Sequence, residues 1–215
     1  MKKIGIFILV FFLISNIKCQ STKNLLNFFP DIKKNDTIIN TVNLLNAFYR
    51  SQHEIDERLS LKYFFHNKIE EMYDVEEGYN SDENSYTYTK YIKKVTPIFK
   101  TEKDTLSLLC YGIKSKIFLS IYDIKNDNII STLLIVEDSD EPDNYIHSVL
   151  FSNDFILTIQ CREKGFYTLT QIDYLSKEFI KMKEIEFDLN QSDNTINKKA
   201  FEILGISKKG ELFDN

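Results

Sequence analysis

The sequence predicts an α+β protein dominated by β-structure, and two observations lead to that class. Between Thr105 and Leu189, short apolar runs alternate with polar turn clusters, and apolar residues recur at nearly every second position, as they do in half-buried strands. Two helical patterns precede this stretch. We therefore expect two N-terminal helices packed on an antiparallel meander of about seven or eight strands, curled into a sandwich or open barrel. A single blade-like sheet with one exposed face is the alternative architecture.

Length and composition favour one domain after an export signal. The chain has 215 residues, of which 43% are hydrophobic and 13% aromatic, enough to bury a sizeable core. We divide it into a signal peptide (1–18), a tether (19–35) and a single α+β domain (36–215) that contains the meander (105–189).

The first residues have the layout of a secretory signal peptide. Lys2 and Lys3 give a positive start, an unbroken apolar run extends from Ile4 to Ile14, and a short polar stretch follows. The apolar run is far shorter than the about 20 residues that a membrane-spanning helix needs. We therefore expect export to the cell envelope.

Cys19 and the polar residues after it, Gln20 to Lys23, resemble the processing site of bacterial envelope lipoproteins. The resemblance is confined to the leader, and it implies that Cys19 becomes a lipid-bearing N-terminus that anchors the protein to a membrane. Ile17 and Lys18 stand where that family has small residues. Ordinary cleavage after Cys19, which would leave Gln20 as the first residue of a periplasmic or secreted protein, is the alternative.

The charge balance disfavours nucleic acid and anionic lipid as partners. The chain has 27 basic and 32 acidic residues, a formal charge of −5, and removal of residues 1–18 takes three lysines and lowers it to −8. Only Arg50, Arg58 and Arg162 are arginines, the side chain best suited to bidentate phosphate binding. We expect no nucleic-acid partner, and membrane contact only through the lipid anchor.

Two helices are predicted before the meander. The first runs from Thr37 to Arg50 with Asp36 as its cap, and the second from Glu54 to Phe65. Their apolar stripes recur at three- and four-residue spacing and predict faces that pack on the core. The stripe residues are Ile38, Val42, Leu45 and Tyr49 in the first helix, and Ile55, Leu59, Tyr63 and Phe64 in the second.

Residues 66–84 are acidic and rich in turn formers, which predicts a loop. Residues 85–100 contain tyrosines among threonines and lysines, a composition typical of a strand, and Pro97 limits this strand to an edge or a bulge. Tyr79, Tyr86, Tyr88 and Tyr91 are a candidate face for a ligand or partner, although such tyrosines ordinarily cover half of a sheet face.

Within the meander, alternation predicts which side chains share a face. The first strand places Leu106, Leu108 and Cys110 together, and the second places Ile117, Leu119 and Ile121 together. The third, Ile129 to Val136, is apolar on both faces, which predicts a central position. In the last long strand, a bulge near Lys183 and Glu184 would bring five apolar residues to one side, namely Ile180, Met182, Ile185, Phe187 and Leu189. Residues 201–213 are expected to form a closing hairpin.

Cys110 and Cys161 both fall on apolar strand faces. In an oxidising envelope they would form a disulfide if their strands lie side by side. Buried thiols are the alternative, since cysteine is among the most buried residue types.

Motifs of known catalytic or metal-binding chemistry are missing from the sequence. His53, His66 and His147 do not lie in metal-ligand spacing with one another or with a cysteine or carboxylate, and the glycines of residues 20–215 stand alone, so zinc, serine-nucleophile and phosphate-loop signatures are absent. The acidic run of Glu137, Asp138, Asp140, Glu141 and Asp143 lacks the order of a calcium loop, and a solvated loop is the simpler reading. We expect no metal, no cofactor and no enzymatic activity.

These observations favour a non-enzymatic envelope protein that presents its β-body to another protein. A small-ligand binding β-barrel or sandwich protein is the alternative, and a hydrolase with an unrecognised site is a third, weaker hypothesis because a convergent site leaves no motif.

Overall fold

The computed structural model describes residues 24–32, 39–80, 85–139, 144–151 and 153–187. A 3₁₀ helix (Leu25–Phe28) comes first, and the α-helices are α1 (Thr41–Arg50), α2 (Glu57–Tyr63) and α3 (Ile69–Met72). The strands are β1 (Ile39–Asn40), β2 (Tyr73–Asn80), β3 (Ser85–Ile92), β4 (Val95–Lys103), β5 (Leu106–Ile113), β6 (Lys116–Asp123), β7 (Asn128–Glu137), β8 (Tyr145–Leu150), β9 (Phe155–Cys161), β10 (Gly165–Asp173) and β11 (Glu178–Phe187). The signal peptide, Cys19 and the expected closing hairpin lie outside the described residues.

Strands β4 to β11 form one antiparallel sheet in which each strand lies beside its neighbours in sequence. The predicted β-dominated α+β class and the antiparallel meander are therefore confirmed. β1 joins the sheet by pairing with β8, where Ile39 lies opposite Leu150. β7 and β8 share a single register pair, Glu137 opposite Ile146, and this point divides the sheet into a first part (β4–β7) and a second part (β8–β11).

The edge position predicted for the Pro97 segment is confirmed. β4 is the terminal strand of the sheet order, and its register against β5 shifts between Pro97 and Phe99. Residues 30–32 run beside this strand, since the N–H of Ile32 donates to the carbonyl of Lys100 at 3.0 Å. Part of the segment expected to be a tether thus covers the edge of the sheet.

The bulge predicted in the last strand is confirmed within one residue. Leu169 lies opposite Lys183 and Thr170 opposite Lys181, so Met182 is the extra residue of β11. Leu189 lies outside the described residues.

Both faces of the first part of the sheet are buried. The predicted inward residues of β5 and β6 form one cluster with Leu44 of α1 and with residues of the second part of the sheet. The cluster includes Leu106, Leu108, Cys110, Ile117, Leu119 and Ile121 from β5 and β6, and Leu150, Ile156 and Ile172 from β8, β9 and β10. On the opposite face, Leu109, Tyr111 and Tyr122 pack beneath Tyr63 of α2 and Leu25 of the 3₁₀ helix. β7 lies in the middle of the sheet order, as its double apolar pattern predicts.

Helix α1 begins at Thr41, so the predicted start at Thr37 was wrong. Asn40 caps the helix, because its side chain accepts a hydrogen bond from the N–H of Asn43 while the Asn43 side chain accepts one from the N–H of Asn40. This reciprocal pair satisfies two backbone donors that a helix start leaves open. Asp36, the expected cap, lies outside the described residues.

The predicted apolar stripe of α1 was wrong for Val42 and Tyr49, whereas Leu45 packs against the core as predicted; Ile38 lies outside the described residues. Val42 and Tyr49 are 63% and 69% exposed, whereas Leu44 is 1% exposed. Thr41 turns this other face toward the sheet, because its hydroxyl donates to the carbonyl of Ser148 at 3.1 Å and accepts from the N–H of the same residue at 2.8 Å.

Helix α2 is shorter than predicted, but its buried stripe is confirmed. It begins at Glu57, where the side chain of Asp56 accepts a hydrogen bond from the N–H of Arg58. Ile55 and Tyr63 are buried, and Leu59 and Phe64 pack against the same cluster.

The loop predicted for residues 66–84 was wrong for most of its length. Helix α3 and strand β2 occupy residues 69–80. The strand forms although it carries Asp74, Glu76 and Glu77, because it pairs along its whole length with β3, whose threonines and tyrosines favour strands.

Candidate partner-binding surface

β2 and β3 form a two-stranded hairpin separate from the main sheet. Its register is unbroken from Tyr73 opposite Ile92 to Asn80 opposite Ser85, so each strand extends about 26 Å. Residues 86–91 of β3 are all exposed. Because an isolated two-stranded hairpin is marginally stable in water, this element needs support from its root or from a further surface.

Three of the four predicted tyrosines share one face of the hairpin. Tyr79 lies opposite Tyr86, and Tyr88 lies two residues further along the same strand, so all three point to the same side. They are 55%, 61% and 67% exposed. We call this surface the tyrosine face; Val75, which is also exposed, lies on it.

Tyr91 lies on the opposite face, because it is an odd number of residues from Tyr86 and Tyr88. Its hydroxyl donates to the carboxylate of Asp74 at 3.3 Å, and the ammonium of Lys114 lies 5.7 Å from its ring centre. The structure therefore brings together Tyr79, Tyr86 and Tyr88 and separates Tyr91 from them.

Contacts within the tyrosine face fix the orientation of its rings. The rings of Tyr79 and Tyr86 are 5.0 Å apart and tilted, a favourable arrangement for an aromatic pair. The hydroxyl of Tyr88 donates to Glu77 at 3.2 Å. Each ring thus presents a large apolar surface with a polar rim.

A cleft of about 750 Å³ lies at the root of the hairpin. We call it the root cleft. Its walls come from α1, both hairpin strands, the β3–β4 connection and the β5–β6 turn, through Phe48, Tyr73, Lys90, Tyr91, Ile92, Lys93, Lys94, Thr96 and Lys114, together with the acids Glu54 and Glu57. Sequence reasoning missed it, although residues 85–94 hold three lysines and no acid, a signal that was available.

Two of the four lysines of the root cleft form ion pairs with acids, and the other two make different contacts. Lys94 forms an ion pair with Glu54 at 2.8 Å, and Lys114 forms one with Asp74. Lys90 instead lies 4.1 Å above the ring of Tyr73, and Lys93 donates to the carbonyl of Glu71 at 2.9 Å.

Within the described ranges, neither Lys90 nor Lys93 contacts a carboxylate. Among the described residues, Lys90 and Lys93 therefore form no ion pair, and Glu57 is the one acid of the cleft wall for which no ion pair is seen in that part of the chain.

The two cysteines lie on strands that are not neighbours. Three strands, β6 to β8, separate β5, which carries Cys110, from β9, which carries Cys161. Cys110 and Cys161 are both buried thiols, and burial raises the pKa of Cys110 well above its ordinary value. The condition for the predicted disulfide, two strands side by side, is not met, and the buried-thiol alternative fits this arrangement.

The candidate acid–base and metal-binding residues from the sequence do not converge. His53 lies before α2, His66 follows α2, and His147 lies in β8 with its ring 4.6 Å from that of Tyr145. Burial lowers the pKa of His147. Within the described ranges, no three His, Cys, Asp or Glu side chains are placed to hold a metal ion.

Glu137, the first acid of the expected solvated loop, is held by ion pairs. Lys116 lies 2.6 Å and Arg162 3.2 Å from its carboxylate, and the hydrogen bond from Lys116 chiefly lowers the pKa of Glu137. Residues 140–143, which include the other acids except Asp138, lie outside the described ranges.

A polar cluster that the sequence did not indicate joins α2 to the β6–β7 turn. The hydroxyls of Tyr63 and Tyr122 donate to one oxygen of Asp127 at 2.6 and 2.5 Å, and Lys62 contacts the other oxygen at 2.7 Å. Burial and the neighbouring carboxylate raise the pKa of Tyr122, so this phenol keeps its proton. The cluster fastens the helix to the turn rather than offering an acid or base.

Comparisons with protein-family models, with curated proteins and with solved structures find no match to this chain. A membrane-crossing helix is also not found within the part of the chain that the structure describes.

Proposed function

We propose that this protein is an exported, non-enzymatic module of the bacterial cell envelope that binds a protein partner through the tyrosine face. The observation that carries the proposal is the exposure of Tyr79, Tyr86 and Tyr88 side by side on a hairpin outside the main sheet. Clustered exposed apolar surface marks interaction sites, and tyrosine is enriched in the central residues of protein interfaces.

Export and anchoring are proposed from the signal peptide and from Cys19. The signal peptide directs the chain to the envelope, Cys19 receives the lipid, and residues 20–23 connect the anchor to the folded body, which begins with the buried residues Leu25 and Leu26. The competing version of this step is cleavage after Cys19, which yields a periplasmic or secreted protein with the same surface.

In this proposal, the main sheet that carries the hairpin is curled into a sandwich or an open barrel. One buried cluster includes residues from β5 and β6 as well as from β9 and β10, as expected if the two parts of the sheet face each other. The ion pair between Lys103 and Asp154, 3.3 Å apart, supports the same arrangement because it links the end of β4 to the β8–β9 turn.

Photo-crosslinking in intact cells tests the proposal. A photoreactive phenylalanine derivative replaces Tyr88 and, in a matched control, Tyr49 of α1, since these side chains are 67% and 69% exposed. We expect a protein adduct at position 88 that is absent at position 49. Equal labelling at both positions, or no protein adduct at positions 79, 86 and 88, would contradict the proposal and favour small-ligand binding.

The intact mass of the mature protein, with Cys19 and with Cys19→Ser, tests the anchor independently. An acyl mass that the substitution abolishes supports anchoring, whereas a chain that starts at Gln20 without lipid contradicts it and leaves the tyrosine face as a surface of a released protein.

A further inference from the structure

We infer that the root cleft accepts an extended, acidic peptide segment of the partner protein, which adds as a third strand along the free edge of β3. The inference rests on the proposed function, since it takes the partner to be a protein, and it names the chemistry of the segment that binds. It concerns the edge of β3 and the root cleft, which adjoin the tyrosine face, since Lys90 lies opposite Val75.

The edge of β3 is the first observation. In the described part of the chain, β3 pairs with β2 and with no other strand. An unpaired edge presents a row of backbone N–H and C=O groups, and addition of a partner strand to such an edge is a common mode of peptide recognition. A third strand would also support a hairpin that is marginal by itself.

The path of the backbone through the cleft is the second observation. Five consecutive residues, Lys90 to Lys94, line the root cleft, so the chain runs along the cleft rather than crossing it. Phe48 of α1 and Lys114 of the β5–β6 turn line it from the body of the protein. An extended peptide therefore has both an edge to pair with and side chains to contact.

The charge of the cleft is the third observation. The whole chain is acidic, with a formal charge of −5, yet residues 85–94 carry three lysines and no acid. Each ammonium has three N–H donors. Lys93 uses one of them on the carbonyl of Glu71, and Lys90 rests on the ring of Tyr73, an arrangement that leaves its N–H groups available to carboxylates.

The same charges disfavour a phosphate-rich or polysaccharide ligand. Lys94 and Lys114 are already paired with Glu54 and Asp74, so the uncompensated charge is small and suits a few carboxylates. An acidic polysaccharide also has no peptide backbone whose regularly spaced N–H and C=O groups could pair with the edge of β3. An acidic peptide meets both requirements, with carboxylates on a backbone that can pair.

Fluorescence anisotropy with short synthetic peptides tests the inference on the mature chain from Gln20 onward. The probe alternates Thr and Glu, one comparison peptide alternates Thr and Gln, and another carries the probe sequence with every backbone amide N-methylated, so that neither of its edges can donate to β3. We expect the Thr–Glu probe to bind, the Thr–Gln peptide to bind about tenfold more weakly, and the N-methylated peptide to bind hardly at all, because it cannot pair with β3.

A double variant identifies the site. Lys90→Gln with Lys93→Gln should weaken binding of the Thr–Glu probe about tenfold, whereas Lys125→Gln, at the other end of β6, should leave binding unchanged; a preserved melting temperature shows that each variant is folded. Loss of binding with Lys125→Gln to the same degree would overturn the assignment of the cleft.

Three further outcomes overturn the inference: the Thr–Glu probe does not bind, the N-methylated peptide binds as well as the probe, or polygalacturonate competes as well as unlabelled probe. The last two would show attraction of anions without strand addition. These outcomes do not affect the crosslink from the tyrosine face. Failure of this inference is therefore distinguishable from failure of the proposed function, in which positions 79, 86 and 88 give no protein adduct or position 49 is labelled equally.

Discussion

The ammonium group of Lys177 lies 2.8 Å from the carboxylate of Asp123, 54 residues away in sequence. The side chain of Asp123 is only 3% exposed, and it also accepts hydrogen bonds from the backbone N–H groups of Lys125 and Asn126 at 3.0 and 3.1 Å. These contacts connect the β10–β11 turn to the β6–β7 turn. They thereby join the second part of the sheet to the first.

This ion pair predicts a specific acid sensitivity. The hydrogen bond from Lys177, followed by those from Asn126, lowers the pKa of Asp123 from 3.8 to about 2. Because the folded-state pKa is depressed, the stabilisation is complete above the unfolded pKa and is lost as the pH falls toward 2. Asp123→Asn should therefore lower the melting temperature at pH 7, and its deficit relative to the wild type should shrink between pH 4 and pH 2.

Lys177→Met provides the matched variant, since it removes the other partner of the same bond. It should show a deficit at pH 7 that also shrinks on acidification. A deficit of constant size from pH 7 to pH 2 in both variants would show that the pair acts through packing and not through charge.

The Asp127 cluster predicts non-additive effects of two hydroxyl deletions. Tyr63 and Tyr122 donate to the same carboxylate oxygen, so loss of one bond leaves the other to compensate. Tyr122→Phe and Tyr63→Phe should each lower the free energy of unfolding by about 0.5–1.5 kcal/mol, with the double variant departing from the sum by at least about 0.5 kcal/mol. Urea denaturation measures these values, and Tyr49→Phe, at an exposed site, is the control. Strict additivity would contradict the shared acceptor.

The meander could be predicted from the sequence because its signal is local. In strands such as Leu106–Ile113, every second side chain enters the same core. Apolar residues that recur at every second position of the sequence therefore predict which face of the strand is buried. The bulge in β11 was predictable for the same reason, since the apolar residues change parity at the point where Met182 is inserted.

The hairpin and the assembly of the root cleft could not be predicted, because their cause is not local; the lysines of residues 85–94 were only a partial signal for the cleft. β2 contains three acids and a glycine, and it becomes a strand only through its pairing with β3. The lysines of the cleft come from the hairpin, a connection and the distant turn at Lys114. The buried face of α1 likewise depends on a contact with Ser148 that no helical spacing encodes.

Close packing of α1 on the sheet predicts a steric effect at Gly112. A Cβ added there would overlap the ring of Phe48, so the ring or the helix that carries it would have to move. Gly112→Ala should lower the free energy of unfolding by about 1–3 kcal/mol, measured by urea denaturation. In a Phe48→Ala background the same substitution should cost much less, because the ring is gone.

Gly78→Ala is the control for this prediction. Its added Cβ would lie 2.9 Å from the hydroxyl oxygen of Thr87 and 3.9 Å from the carbonyl oxygen of the same residue, and the exposed Thr87 side chain can rotate away. It should cost less than about 1 kcal/mol. Equal costs at the two glycines, or no relief from Phe48→Ala, would contradict the assigned clash.

The exposure of the tyrosine face predicts that its residues contribute little to global stability. The triple variant Tyr79→Ser, Tyr86→Ser, Tyr88→Ser removes side chains that are more than half exposed, so the melting temperature should change little. The loss of the Tyr79–Tyr86 pair, about 0.2–1 kcal/mol, should act locally and increase hydrogen exchange at the amides of β2 and β3, while exchange in β5 and β6 stays as in the wild type. A fall in the melting temperature as large as that caused by Leu119→Ala, about 2–5 kcal/mol in unfolding free energy, would show that these rings serve the core, and a partner-binding role would then lose its main support.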